Sequence, residues 1–135
     1  MGAELALQEA VFSALAADAT LQALLGGANV FDGAPRNAVA PYVHLGELVA
    51  RDWSTATETG AELNFAIVAW SRLPGRSEGF SIAERVVALL HDAALTLDGY
   101  RLVNLRHVAT ETARMEKPEG RRTVARFRAV VEPDE

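Results

Sequence analysis

Two runs of alternating apolar and polar residues, separated by a ten-residue connection, constrain the fold of this chain more than any other feature. The first run covers Tyr42 to Arg51 and the second covers Glu62 to Trp70. In the second run Leu63, Phe65 and Ile67 share one face, as the two-residue period of a strand requires. We predict that both runs are strands of one sheet, packed on one face and partly covered on the other.

Three further segments extend the predicted sheet. Asn29 to Phe31 is a short strand candidate, and the turn signal Asp32-Gly33 ends it. Arg101 to Arg114 and Arg121 to Val131 predict a strand pair around a turn that covers Met115 to Gly120. The sheet is therefore expected to contain four to five strands.

Helical periodicity predicts two main helices and one short helix. The first main helix covers the N-terminal residues and ends near Ala17. Asp18 is a candidate N-cap for the short helix, Thr20 to Leu25. The second main helix covers Ser77 to Ala94, and either Ser77 or Ser81 can begin it.

The order of these elements predicts the fold class. Strands that follow one another between helices, joined by short connections, favour an antiparallel sheet over a doubly wound parallel one. We predict an α+β fold, with a mostly antiparallel sheet of four to five strands and two main helices packed on one face. A chain of 135 residues has the length of one domain, so residues 1–135 are expected to form a single domain.

Composition excludes several classes of protein. Half of the residues are hydrophobic and 23% are charged, which is typical of a soluble globular protein, and no apolar run is long enough to span a membrane. The N-terminus lacks the features of a secretory signal, and the absence of cysteine excludes disulfides and thiolate metal sites. The basic residues concentrate near the C-terminus but alternate with acidic ones, which argues against tight binding of nucleic acid.

Catalytic patterns are missing from the sequence. His44, His91 and His107 are far apart, and none has a partner at the spacing of metal ligands. No nucleophile elbow, phosphate loop or dinucleotide fingerprint occurs. We therefore expect no metal, no cofactor and no enzyme activity, although catalysis by scattered residues remains open at this stage.

One aromatic residue lies where a partner would contact it. Trp53 follows the first long strand inside a polar connection, and tryptophan beside arginine is typical of interface hot spots. The alternative is that Trp53 folds back under its own loop as a plug. Trp70, by contrast, is expected in the core. The candidate protein interface consists of Arg51, Asp52, Trp53, Ser54 and Thr55.

Several short segments resemble one protein family. They are Tyr42-Val43-His44-Leu45-Gly46-Glu47, Arg51-Asp52-Trp53-Ser54-Thr55, Ala69-Trp70-Ser71-Arg72, Ile82-Ala83-Glu84-Arg85-Val86, Leu90-His91-Asp92-Ala93 and Arg126-Phe127-Arg128. In this order they resemble the tail-completion, or tail-terminator, family of long-tailed phages. The similarity is greater to the version carried by bacterial gene transfer agents, and it spans nearly the whole chain.

The resemblance implies a structural virion protein. Members form a homo-oligomeric ring, usually of six copies, at the head-proximal end of the tail tube after assembly in the bacterial cytoplasm. The implied partners are copies of the chain itself, the tail tube protein and the head-tail connector, while DNA passes through the lumen without specific binding. The alternatives are another head-tail connector or minor tail ring component, or a monomeric ligand-binding α+β module.

Overall fold

The described residues form three helices and five strands, and the predicted α+β class is confirmed. The computed structural model describes residues 2–56, 59–72, 75–117 and 119–134. The elements, in chain order, are α1 (Ala3–Ala16), α2 (Ala19–Leu25), β1 (Val30–Phe31), β2 (Tyr42–Asp52), β3 (Ala61–Ser71), α3 (Ser77–Leu90), β4 (Tyr100–Glu116) and β5 (Glu119–Pro133).

The strands form one sheet in the order β1-β2-β3-β5-β4. The β1–β2 pair is parallel and the three other pairs are antiparallel. The β3–β5 pair runs without a break from Ala61 opposite Val131 to Ser71 opposite Arg121. Strand β4 therefore forms one edge, while β1 covers only the beginning of β2 at the other edge.

Three irregularities interrupt the pairing of the outer strands. One lies in β2 between Leu45 and Leu48, and two lie in β4, where Val103 and Val108 are the extra residues. Bulges of this kind bend a strand and increase its twist. Gly46 fits the β2 irregularity because a Cβ there would lie 3.0 Å from Val68 Cγ2.

The first two helices meet at the predicted cap. Asp18 accepts a hydrogen bond through Oδ2 from the Leu21 amide at 2.8 Å, which caps α2 as expected from the sequence. Helix α2 ends at Leu25, and its C-cap residue Gly26 has a left-handed φ of 76°. Asp18 also accepts a hydrogen bond from Arg85 of α3 at 2.7 Å, so this residue joins two helices.

The predicted end of the second main helix is wrong. Helix α3 ends at Leu90, four residues before Ala94. His91 has extended backbone and Asp92 has a φ of 57°. The Asp92 amide donates to the Leu105 carbonyl of β4 at 2.8 Å, and this hydrogen bond replaces the helical one.

The predicted turn between the last two strands is too long. Strand β4 continues to Glu116 and β5 begins at Glu119, where the sequence indicated a turn from Met115 to Gly120. Glu116 pairs with Glu119 in the ladder. Pro118, which the turn prediction used, lies outside the described residues.

All three helices pack on one face of the sheet. The core there includes Leu7 and Leu15 of α1, Ile82 of α3, and the stacked rings of Phe65 and Phe127, whose centroids are 5.4 Å apart. None of the described helices has the length and apolarity that crossing a membrane requires. The opposite side is called the helix-free face, and its apolar centre consists of Ala66, Val68, Val124 and part of Trp70.

Candidate interaction surface

The predicted interface segment begins at the end of β2 and turns across the edge of the helix-free face. The Trp53 amide donates to the Gly60 carbonyl at 2.9 Å, which extends the β2–β3 pairing by one step. Asp52 Oδ1 accepts from the Ser54 amide at 3.0 Å, and Ser54 Oγ accepts from the Gly60 amide at 3.3 Å. These bonds hold the start of the segment, while the side chains of Arg51, Asp52, Trp53, Ser54 and Thr55 are exposed.

Trp53 lies against the guanidinium of Arg128. The Arg128 Cζ atom is 4.5 Å from the centroid of the indole, a geometry in which the cation is attracted to the ring face. Trp53 nevertheless keeps 46% of its surface exposed. The structure thus places an accessible aromatic ring at one end of the helix-free face, on a cationic support.

Arg128 itself belongs to a row of charges that crosses three strands. Its Nε donates to Glu62 Oε2 at 2.7 Å, and Arg51 Nη1 lies 3.6 Å from Glu62 Oε1. The hydrogen bond from Arg128 is the main cause that lowers the pKa of the Glu62 carboxyl. Glu62 is therefore ionised at neutral pH and holds two arginines beside Trp53.

A second charged row crosses the middle of the face. Arg126 of β5 donates to Glu111 of β4 at 2.7 Å and also to Glu47 of β2. Arg126 reaches across β3 at Ala66, its partner in the ladder, where a methyl group leaves room for the long side chain. The hydrogen bond from Arg126 lowers the pKa of Glu47, so Glu47 is ionised at neutral pH.

An aromatic group occupies the other end of the face, and it corrects the expectation that Trp70 is a core residue. Trp70 is only partly buried and lies on the helix-free face, where its Nε1 donates to His44 Nε2 at 3.2 Å. His44 Nδ1 then carries the proton and donates to the Leu45 carbonyl at 3.1 Å. Tyr42 stacks on Trp70 and contacts the edge of Phe31, and burial raises the pKa of Tyr42.

Comparison with known proteins identifies the family of this chain. The family model for tail completion protein gp17 matches residues 9–132. The chain belongs to the tail completion family. The virion of a native gene transfer agent particle contains a similar chain, with 38% identity over 96% of each chain and a TM-score of 0.87. No curated protein shows a significant match.

Family membership makes this chain a structural protein of a phage-like tail. A tail completion protein acts through surfaces that bind other proteins, and the helix-free face is rich in the groups that such surfaces use. Arginine, tyrosine and tryptophan are enriched in protein interfaces, and here they lie in ordered rows on a rigid sheet.

The carboxylates of the helix-free face suit the binding of a protein better than catalysis. The carboxylates with shifted pKa values, such as Glu47, Asp52 and Glu62, are all shifted downward, so they are ionised bases without a raised pKa for acid catalysis. Within the described ranges, no group of three or more histidine and acidic residues could hold a metal ion. His91 instead accepts the His107 amide at 3.0 Å.

Sequence reasoning selected the Trp53 segment as a candidate interface but missed the charged rows. Arg126 and Glu47 are 79 positions apart, so no local pattern links them. One signal was present in β5. Arg122, Arg126 and Arg128 are separated by even numbers of residues, so their side chains lie on the same face of the strand, the helix-free face. Their acidic partners could be located only from the strand order.

Proposed function

We propose that this chain is a tail terminator. In this function copies of the chain form a ring at the head-proximal end of a phage-like tail tube, end its polymerisation and join the tail to the head connector. The observation that carries the proposal is the similar chain in the gene transfer agent virion, which matches over nearly the full length of both chains. A shared fold at this identity supports a shared place in a particle.

A closed hexameric ring is the assembly that we propose. The sheet has an open edge at β4 and a half-covered edge at β2, and head-to-tail contacts between different surfaces generate rings when the rotation closes. Closure also limits growth, which is the property that a terminator needs. The ring would assemble in the bacterial cytoplasm and remain in the virion.

The segment Arg51 to Thr55 is the proposed contact with a protein partner. Its hydrogen bonds to Gly60 limit its freedom before binding, so little conformational entropy remains to be lost. Trp53 supplies the exposed aromatic area that an interface anchor needs, and the guanidinium of Arg128 packs against its ring. The partners that we propose are the tail tube protein and the head-tail connector.

Passage of DNA through the ring requires a surface that does not retain phosphates. The acidic partners Glu47, Glu62 and Glu111 neutralise much of the arginine charge on the helix-free face. Neutralised arginines release few counterions from DNA, so they contribute little affinity. We propose that the face tolerates passing DNA without binding it.

Deletion of the gene in cells that produce particles tests the proposed function. Electron microscopy of the lysate is expected to show tails of abnormal and variable length that are not joined to heads, and the wild-type gene supplied in trans restores normal particles. Tails of normal length without heads would indicate a connector instead. Normal, infectious or DNA-transferring particles without the gene would refute both functions.

A further inference from the structure

Arg121 is buried, and no described residue is an anionic partner for it. It lies at the start of β5, only 7% exposed, and it is the one charged residue in the described part of the chain that is buried. Its Nη1 donates to Thr112 Oγ1 at 3.3 Å, but among the described residues its Nε has no hydrogen-bond partner and no carboxylate lies within ion-pair distance. Buried charges are normally paired, so this one needs compensation from elsewhere.

The neighbouring strand increases this positive charge. Arg114 of β4 lies directly opposite Arg121 in the ladder and is exposed. Like charges in directly opposed positions destabilise a strand pair. Lys117 adds a third cation at the same end of the hairpin, whereas Glu116 and Glu119 are the acids there and neither forms an ion pair with Arg114 or Arg121 in the described structure.

The N-terminus of α3 is close to the same place. A Cβ on Gly79 would lie 2.5 Å from Thr123 Oγ1 and 3.1 Å from Ser71 Oγ, so the first turn of the helix rests on the strand ends next to Arg121. Arg76, the N-cap residue, makes no side-chain capping bond. The positive end of the helix dipole therefore adds to the charge of the arginines. Arg114, Lys117, Arg121 and the start of α3 are called the basic corner.

The opposite end of the same two strands carries unpaired acids. Asp98 and Asp134 are exposed, and the Asp134 amide donates to the Gly99 carbonyl at 3.0 Å, which brings the two residues together. Glu9 of α1 lines a groove with Asp98. None of these carboxylates has an ion-pair partner among the described residues. Asp98, Asp134 and Glu9 are called the acidic corner.

We propose that the basic corner of one copy receives the acidic corner of a second copy. The inference rests on the proposed ring and names the contact that builds it. The two corners lie about 40 Å apart along β5, since each strand residue adds about 3.3 Å, so one copy cannot pair them with each other. The contact joins different surfaces of two copies and is thus head-to-tail.

A carboxylate from a protein fits the basic corner better than DNA does. Glu116, Glu119 and Glu78 flank the cations, and they would repel the closely spaced phosphates of a duplex. A protein surface with a few carboxylates carries less negative charge than a duplex, and Arg114 is exposed to it. The same chain supplies such a group in its acidic corner.

Reversal of charge at each corner tests the contact. The purified variants Arg114→Glu and Asp98→Arg/Asp134→Arg are compared with the wild-type chain by sedimentation velocity in low salt. We expect each variant alone to associate at least about thirtyfold more weakly than the wild type. An equimolar mixture of the two variants should recover association, because each new corner finds its complement on the other variant.

Matched controls separate this contact from general effects of charge. Arg36→Glu changes an exposed arginine in the connection between β1 and β2, and Glu84→Arg changes an exposed acid on α3. Both controls should associate like the wild type, and circular dichroism checks that all variants are folded. Duplex DNA offered to the wild-type chain in the same buffer should not bind at the basic corner.

Three results would overturn the proposal. They are wild-type association that Arg114→Glu leaves unchanged, failure of the mixed variants to recover, and a wild-type chain that stays monomeric at all concentrations tested. None of them refutes the terminator function, which depends on tail length in particles. DNA binding that Arg114→Glu abolishes would assign the basic corner to nucleic acid instead.

Discussion

Trp53 combines high exposure with a defined position, and this combination determines what its removal should do. The indole rests on Arg128, whose guanidinium is also held by Glu62. An exposed cation–π contact contributes about 0.5–1 kcal/mol to stability. The same ring buried in a protein interface as an anchor contributes about 2 kcal/mol or more to binding.

We predict that Trp53→Ala lowers the free energy of unfolding by less than about 1 kcal/mol but weakens assembly by about 2 kcal/mol or more. Denaturant unfolding of the variant and its assembly with the tail tube protein and the head-tail connector are measured on the same preparation. Trp70→Ala is the control, because Trp70 stacks on Tyr42 and donates to His44, so its loss should mainly reduce stability. A destabilised Trp53→Ala that assembles normally would contradict the interface function.

Local chemistry explains which single residues could be predicted from the sequence. Asp18 caps α2 through a backbone amide three residues away, and the sequence indicated that cap. Trp70 was misplaced because the alternation of β3 shows that two faces exist without showing which one the helices cover. Its neighbour His44 is 26 positions away, beyond any local pattern.

At the scale of elements, Asp18 links two helices with one carboxylate. It accepts from Leu21 at the start of α2 and from two atoms of Arg85 on α3, at 2.9 and 2.7 Å. The hydrogen bond from Arg85 is the largest cause that lowers the pKa of Asp18 in the folded state. A lowered folded-state pKa means that the unfolded chain binds the proton more tightly.

We predict that Asp18→Asn reduces stability at neutral pH by about 1 kcal/mol, because asparagine can still cap the Leu21 amide but loses the ion pair with Arg85. The contribution of Asp18 is fully present above its unfolded pKa and is lost as the pH falls through the lower folded pKa. Denaturant unfolding from pH 7 to pH 2 should therefore show wild type and variant converging in acid.

Arg85→Gln serves as the matched control for that experiment. It removes the guanidinium but leaves the bond from the Leu21 amide to Asp18, so it should lose about as much stability as Asp18→Asn, which also keeps the cap and loses the ion pair. A difference between wild type and Asp18→Asn that stays constant down to pH 2 would contradict the assigned origin of the pKa shift.

Element types were easier to predict than element ends. The sequence indicated all three helices and all five strands, because each has the period or the cap that its type requires. The end of α3 was misplaced since residues 91–94 have no helix breaker, and the hydrogen bond from Asp92 to Leu105 of β4 that ends the helix is tertiary. The charged rows could not be predicted for the same reason. Their residues become neighbours only through the strand order β2-β3-β5-β4, which is tertiary structure.

At the scale of the whole molecule, the sheet separates a covered face from an open one. The helices cover the apolar core. On the helix-free face, carboxylates from neighbouring strands form ion pairs with the arginines. Family membership was predicted from short segments spread over nearly the whole chain, and the comparisons confirm it.

We predict that Glu47→Lys/Glu111→Lys converts the helix-free face into a DNA-binding surface. The change leaves Arg126 without its two carboxylates and adds two further cations. Binding of duplex DNA should appear at low salt and weaken roughly fortyfold between 50 and 200 mM salt if about three phosphates are neutralised. Fluorescence anisotropy with a labelled duplex measures this.

The control for the DNA experiment keeps the net charge equal. Glu4→Lys/Glu84→Lys adds the same charge on the helices, where both residues are exposed, and should bind DNA no better than the wild type. Equal binding by both double variants would show that net charge alone matters and that the ion pairs of the open face have no special role.

The two extra residues in β4 bend the edge of the sheet. In a closed assembly, the bend in each copy affects the diameter of the whole ring. In a ring of the proposed kind, the angle that each copy contributes determines how many copies close the circle and how wide its channel is. Val103 and Val108 would then help to determine the width of that channel. Removal of one of them would change the width of the channel.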